Sequence, residues 1–121
     1  MKKGKTLIIG ASENPDRYAN RAAHSLLRYG HDIEMVGLRE GQIRSNPIQT
    51  GLPELSDIET VTLYVSAKNQ PGYTEYIKHL KPQRVIFNPG TENPAFEQEL
   101  IQEGIEPIHG CTLVMLSVGA Y

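Results

Sequence analysis

The chain has 121 residues, 39% apolar and 21% charged, with a formal net charge of -2. That length and mix suit one globular domain over 1–121 with a single core, not two independently packed ones. Twelve basic residues against 14 acidic ones argue against a dedicated nucleic-acid binder, while leaving room for a local basic pocket around a phosphorylated small molecule.

The start, Met1-Lys2-Lys3-Gly4-Lys5, is basic, but only Leu7-Ile8-Ile9 follow before Gly10. That run is too short for a signal-peptide core or a membrane span, so a cytoplasmic protein with no membrane partner is expected. Residues 6–9 form the first β-branched and aliphatic run, and 33–38, 60–65, 84–88 and a weaker 106–109 follow. Apolar runs without polar alternation suit strands buried on both faces, as in a parallel sheet.

Helical patterns lie between these runs. Over 16–29, Ala19, Ala22, Ala23, Leu26 and Leu27 make an amphipathic stripe, and Gly30 stands where a helix-ending glycine belongs. A second helix over 71–80 offers Tyr73, Tyr76, Ile77 and Leu80 on one side, tyrosines at a spacing that covers a sheet or borders an adenine pocket. A third over 94–103 offers Phe96, Leu100 and Ile101, and a last one covers 112–118. Asn14-Pro15 and Asn93-Pro94 read as an N-cap asparagine before proline at the first helical position, with Asn69-Gln70-Pro71 a looser version. Residues 39–58, rich in Gly, Pro, Ser and Asn, read as a surface loop with one short extended piece near Ile48. The order β-α-β-β-α-β-α-β-α, with right-handed crossovers, predicts a three-layer, doubly wound α/β fold on a mainly parallel five-stranded sheet.

In such a sheet ligands bind beyond the carboxyl ends of the strands, where the winding reverses. Three segments converge there: Gly10-Ala11-Ser12-Glu13-Asn14, Ser66-Ala67-Lys68-Asn69 and Asn88-Pro89-Gly90-Thr91-Glu92. The first is the candidate phosphate loop, because backbone N–H groups at a helix start favour an anion and small residues admit it. Arg17 adds a charged donor. A dinucleotide loop with three glycines is absent, since Gly10 stands alone. The second strand ends in Val36-Gly37-Leu38-Arg39-Glu40, where Arg39, with Arg44 nearby, suits a phosphate better than Glu40 suits a ribose. An adenine nucleotide with an extra ribose phosphate therefore fits better than NAD.

Taken in order, these residues resemble the stand-alone CoA-binding domain proteins, similar to the nucleotide domain of the succinyl-CoA synthetase alpha subunit. The resemblance is carried by Lys5-Thr6-Leu7-Ile8-Ile9-Gly10-Ala11-Ser12, Asn14-Pro15-Asp16-Arg17-Tyr18 and Gly30-His31, then Asn88-Pro89-Gly90, Gly104-Ile105-Glu106 and Cys111-Thr112. It covers nearly the whole chain and implies a Rossmann-like domain holding CoA or an acyl-CoA. It implies that Gly10, Ala11, Ser12 and Arg17 hold the CoA phosphates. Val36 and Arg39 would approach the adenosine part, and Val65 and Ser66 the nucleotide. The chain departs from the family pattern at Gly37-Leu38, at Ser66-Ala67-Lys68 and at Asn88, which stands for a glutamine. The synthetase's phosphorylated histidine lies in a domain this chain lacks, so no ligase activity is implied. Asn14, Asn88 and Gly90 complete the candidate binding set.

Other reactive residues have plainer readings. Cys111 is the single cysteine, which excludes an internal disulfide and a cysteine-rich zinc site and fits a reducing compartment. It reads as a small buried hydrophobe beside Gly110; in a second reading it is a thiol activated by a helix start and His109. His31 reads as a turn residue, His24 and His79 as solvated, and the four histidines lack metal-ligand spacing. Glu13 and Glu92 read as surface carboxylates, with an acid–base pair across the cleft as the sharper alternative. The expected function is binding of CoA or an acyl-CoA without catalysis. The alternatives are an NAD(P) site, a ligand-free regulatory or protein-interaction domain, and a thioester-acting enzyme using Cys111. A homodimer is compatible with all of them, two-fold dimers being the commonest oligomers.

Overall fold

The computed structural model describes residues 4–121. Its elements run β1 (Lys5–Ile9), α1 (Tyr18–Arg28), β2 (Ile33–Val36), β3 (Gly41–Ile43), β4 (Asn46–Gln49) and β5 (Ile58–Leu63). A 3-10 turn (Ala67–Asn69) follows, then α2 (Thr74–Leu80), β6 (Arg84–Phe87), α3 (Pro94–Gln102), β7 (Glu106–His109) and α4 (Thr112–Ser117).

Among the described residues these build one seven-stranded sheet in the order β3-β4-β2-β1-β5-β6-β7. All pairs are parallel except β3 with β4. The doubly wound α/β fold is as the alternation predicts, but the sheet has seven strands, not five. The two extra ones form a hairpin inside the segment expected to be a loop. Ile43 pairs with Asn46 across Arg44 and Ser45, Arg44 takes a φ of 54°, and β4 then runs parallel to β2. The hairpin is held by burial of Ile43 and Ile48, each 3% exposed, against the α1 side of the sheet.

Strand pleating divides the core. Ile8 and Met35 point to one face, where Ala19, Ala23 and Leu26 of α1 and Leu116 of α4 cover them. Leu7, Ile9, Val61, Leu63, Val85 and Phe87 point to the other, under Ile77 of α2 and Phe96 and Leu100 of α3. Phe87 and Phe96 meet edge to face with centroids 5.9 Å apart. Ile101, expected on the buried side of α3, is 53% exposed; Phe96 and Leu100 stack one turn apart, and the next residue rotates off that face. The tyrosines of the second helix pack on this core, and the Tyr76 hydroxyl donates to the Pro53 carbonyl at 2.5 Å.

Of the expected caps, Asn93 is one. Its Oδ1 accepts the Phe96 N–H at 3.3 Å, with Pro94 in the first turn. Asn14 is not. Its side chain accepts the Asp16 N–H at 2.9 Å, which turns the chain once more, and α1 starts at Tyr18 with Arg17 as its extended N-cap. The looser third start is displaced too: Asn69 closes the 3-10 turn and α2 begins at Thr74. No helix among the described residues is long and apolar enough to cross a membrane.

Candidate functional site

β1 and β5 are neighbours, yet β1 leads to α1 on one face and β5 to α2 on the other. The winding reverses between them, and the loops beyond Ile9 and Leu63 therefore part. A cleft of about 910 Å³ opens there, lined by the segment after β1, the residues after β2, the turn after β5 and the loop after β6.

The first loop is clamped at its root. The Gly10 and Ala11 N–H groups both donate to the Val36 carbonyl, at 2.9 and 3.0 Å. Gly10 has a φ of 96°, and a Cβ there would stand 2.9 Å from the Tyr64 carbonyl oxygen. A Cβ on Gly37 would fall on the Ala11 carbonyl, so this departure from the family pattern lets the loop lie close against the end of β2. Further along, Ser12 Oγ accepts the Asn14 N–H at 3.0 Å, and the buried Asn20 side chain donates to the Ser12 carbonyl at 2.9 Å. Among the described residues, no hydrogen bond uses the N–H of Ser12, Glu13, Tyr18 or Ala19. All four residues line the cleft. Free amides around a loop and a helix start make an anion-binding nest.

Side-chain charge alone does not make the cleft basic. Arg17 and Arg39 line it, and so do Glu13, Asp16 and Glu40. Glu13 is engaged: its Oε2 accepts the Gln42 N–H at 2.8 Å, which ties the first loop to β3. Both arginines are exposed and, among the described residues, neither forms an ion pair. Two free guanidiniums can therefore swing onto an anion held by the amides.

Of the sequence-predicted residues, Gly10, Ala11, Ser12, Asn14, Arg17, Arg39, Val65, Ser66 and Gly90 line the cleft. Val36 does not; it is fully buried and acts through its carbonyl. Asn88 does not line it either. Its Nδ2 donates to Thr62 Oγ1 at 2.7 Å and to the Leu63 carbonyl at 2.8 Å, and its Oδ1 accepts the Thr112 N–H at 2.9 Å. Cys111, half-buried, is the N-cap of α4 and lies outside the lining. Glu92 is also outside and accepts the Gly90 N–H at 3.0 Å. His31 packs on Tyr121 and exposed His109 pairs with Glu97 at 2.6 Å. Among the described residues, no group of three or more His, Cys, Asp or Glu could hold a metal ion.

Sequence reasoning missed Asn20 and Tyr64. Asn20 had a signal, being the polar residue beside the alanine stripe of α1. Tyr64 lines the cleft, but its hydroxyl is buried without a hydrogen-bond partner, while the neighbouring Thr62 and Thr112 hydroxyls bond each other at 2.8 Å. Burial pushes the Tyr64 phenol up to about 12, with the Thr112 and Thr62 hydroxyls pulling the other way. Burial raises Tyr76 and Tyr121 as well. The neutral phenol is favoured in the fold, so its stabilisation is complete below pH 10 and is lost as pH rises towards 12. For Tyr64 that displacement corresponds to about 2–3 kcal/mol. Tyr64→Phe is expected to gain about 1 kcal/mol at pH 7 by deleting an unpaired hydroxyl and to flatten part of the alkaline fall. Urea unfolding between pH 7 and 12 checks both, and an equally steep alkaline fall in the variant would refute the assignment.

The same architecture occurs in solved structures. One described only as an uncharacterised protein is 46% identical over all of both chains, with a TM-score of 0.95. A conserved hypothetical protein from Pyrococcus furiosus is 25% identical over 92% of this chain and 97% of that one, with a TM-score of 0.81. A hypothetical protein from Pyrococcus horikoshii matches in fold, at 24% identity over 97% and 84% of the two chains and a TM-score of 0.87. Among curated proteins none gives a significant match. The family model described as a CoA binding domain matches residues 4–117, from the root of β1 to the end of α4 and so across every part of the cleft. On that match the chain belongs to the CoA binding domain family.

Proposed function

We propose that this chain binds CoA or an acyl-CoA in the cleft at the winding reversal and carries out no reaction on it alone. The observation that carries this reading is the set of four amides without a hydrogen bond among the described residues, at Ser12, Glu13, Tyr18 and Ala19, all residues that line a cleft of about 910 Å³. The nest suits a diphosphate. Arg17, the N-cap of α1, stands beside it, and Arg39, which also lines the cleft, would meet an adenosine phosphate. Leu38, 91% exposed on the rim, gives an adenine ring or a pantetheine arm an apolar surface. The absence of catalysis is supported by the positions of Cys111 and Glu92 outside the lining and by the engagement of Glu13 with β3. A single cysteine in a chain of this composition accords with the cytoplasm. A homodimer would carry one complete cleft per copy.

The test is isothermal titration with CoA, acetyl-CoA, NAD and NADP. Saturable CoA binding is expected, and Arg17→Ala should weaken it about tenfold by removing a charged hydrogen bond. The loss should shrink with added salt, because Arg17 is exposed. Binding of NAD(P) alone would overturn the ligand and keep the nest. Affinities weaker than about 1 mM for every CoA species would defeat the reading altogether.

A further inference from the structure

The β5–β6 ladder ends at the pair Leu63 and Phe87. Beyond it the two chains separate into the turn after β5, which brings Val65 and Ser66 to the cleft, and the loop after β6, which brings Gly90 and Thr91. Gln70 lies between them, 1% exposed and outside the lining. Its Nε2 donates to the Val65 carbonyl at 3.0 Å and to the Thr91 carbonyl at 2.7 Å. Its Oε1 accepts from Asn93 Nδ2 at 2.9 Å. Asn93 is itself fixed, since it caps α3 and donates its N–H to Glu97. Among the described residues, every hydrogen bond between segments 64–73 and 89–93 passes through this carboxamide.

We infer that Gln70 is the positioning residue of the binding site, a clasp that sets the distance between the two cleft walls carrying Ser66 and Gly90. The chemistry calls for a carboxamide. Two N–H donors on one nitrogen meet two carbonyls, and the oxygen on the same plane takes the anchor from α3. A hydroxyl has one donor, a carboxylate none, and an ammonium buried here would lack a counter-charge. Asn at this position would be one methylene too short to span both loops. Burial keeps water from replacing the lost bonds, so the loops must move when the clasp is cut.

The affinity consequence rests on the proposed CoA reading; the clasp itself does not, and the experiment separates them. Amide hydrogen exchange on the ligand-free protein reads the walls directly. Gln70→Leu and Asn93→Ser are compared with wild type, the serine keeping a helix cap while removing the Nδ2 donor. Faster exchange over 64–69 and 89–92 is expected in both variants, larger in Q70L. CoA affinity should fall about tenfold in Q70L and less in N93S. Gln70→Glu supplies a reading that a mere packing role would not move. Its carboxylate offers no donor, while its protonated form offers one, so its CoA affinity relative to wild type should recover as pH falls. Unchanged exchange and affinity in a folded Q70L overturn the proposal, and if Q70L does not fold, the same result in N93S does so. A Q70E/wild-type ratio that is flat with pH also counts against it. Loosened walls in a protein whose wild type ignores CoA sustain the clasp and overturn the ligand.

Discussion

Gly10→Ala is expected to lose about 2–4 kcal/mol of stability and to abolish measurable CoA binding. Two effects add. Gly10 has a φ of 96°, a backbone region that side chains other than glycine enter only at a cost of about 1–3 kcal/mol. In addition, the new Cβ would stand 2.9 Å from the Tyr64 carbonyl oxygen, a backbone atom of β5's exit that cannot rotate away. The loop must lift, and its lift breaks the two hydrogen bonds to the Val36 carbonyl that hold the free amides in place. Gly30→Ala is the matched control. Gly30 also has a positive φ, 84°, but a Cβ there meets nothing within 4 Å. It should lose only about 1 kcal/mol and leave CoA affinity intact, since it ends α1 at the far end from the cleft. Denaturant unfolding of both variants, with titration of CoA, separates strain from collision. Equal losses in the two would show that the close approach to Tyr64 carries no energy.

Why some of this was legible in the sequence and some was not has a physical basis. Strands buried on both faces leave continuous apolar runs, and the runs read from the sequence overlap β1, β2, β5 and β6, with the weaker fifth on the partly exposed edge strand β7. The stripe of α1 and the cap at Asn93 are equally local signals. The hairpin of β3 and β4 is not local. Gly41 and Pro47 are poor strand formers, and only the pairing of β3 with β4, of β4 with β2, and burial of Ile43 and Ile48 make strands of them. At Asn14 two local preferences compete, and the side-chain turn onto Asp16 prevails over helix capping. The loop after β1 is a local signal too, a small-residue strand-to-helix turn, and it lines the cleft. Gln70 could not be read, because two of its three partners lie in another segment more than 20 residues away and no spacing announces them.

Asn88 shows the difference between lying near a site and lining it. Asn88→Leu is expected to lose about 4 kcal/mol in the ligand-free protein. The leucine matches the volume, so the loss comes from the partners left behind. The Leu63 carbonyl and the Thr112 N–H each lose a buried bond, at about 1–3 kcal/mol apiece. Thr62 Oγ1 keeps only its bond to Thr112 Oγ1. A direct ligand contact would behave otherwise: its removal would weaken CoA binding and leave ligand-free stability alone, or improve it. Asn88→Asp sharpens the test. One carboxylate oxygen still accepts the Thr112 N–H, but the other replaces Nδ2 and faces the Leu63 carbonyl, so burial and repulsion favour the protonated form in the fold. A carboxyl raised in this way stabilises below its unfolded value near 4 and loses that contribution as pH rises. N88D should therefore approach wild-type stability in mild acid and fall away towards neutrality. Thermal unfolding of the ligand-free variants from pH 4 to 8 reads this directly. Wild-type stability in N88L, with lost CoA affinity, would move Asn88 from the frame of the cleft into its binding surface.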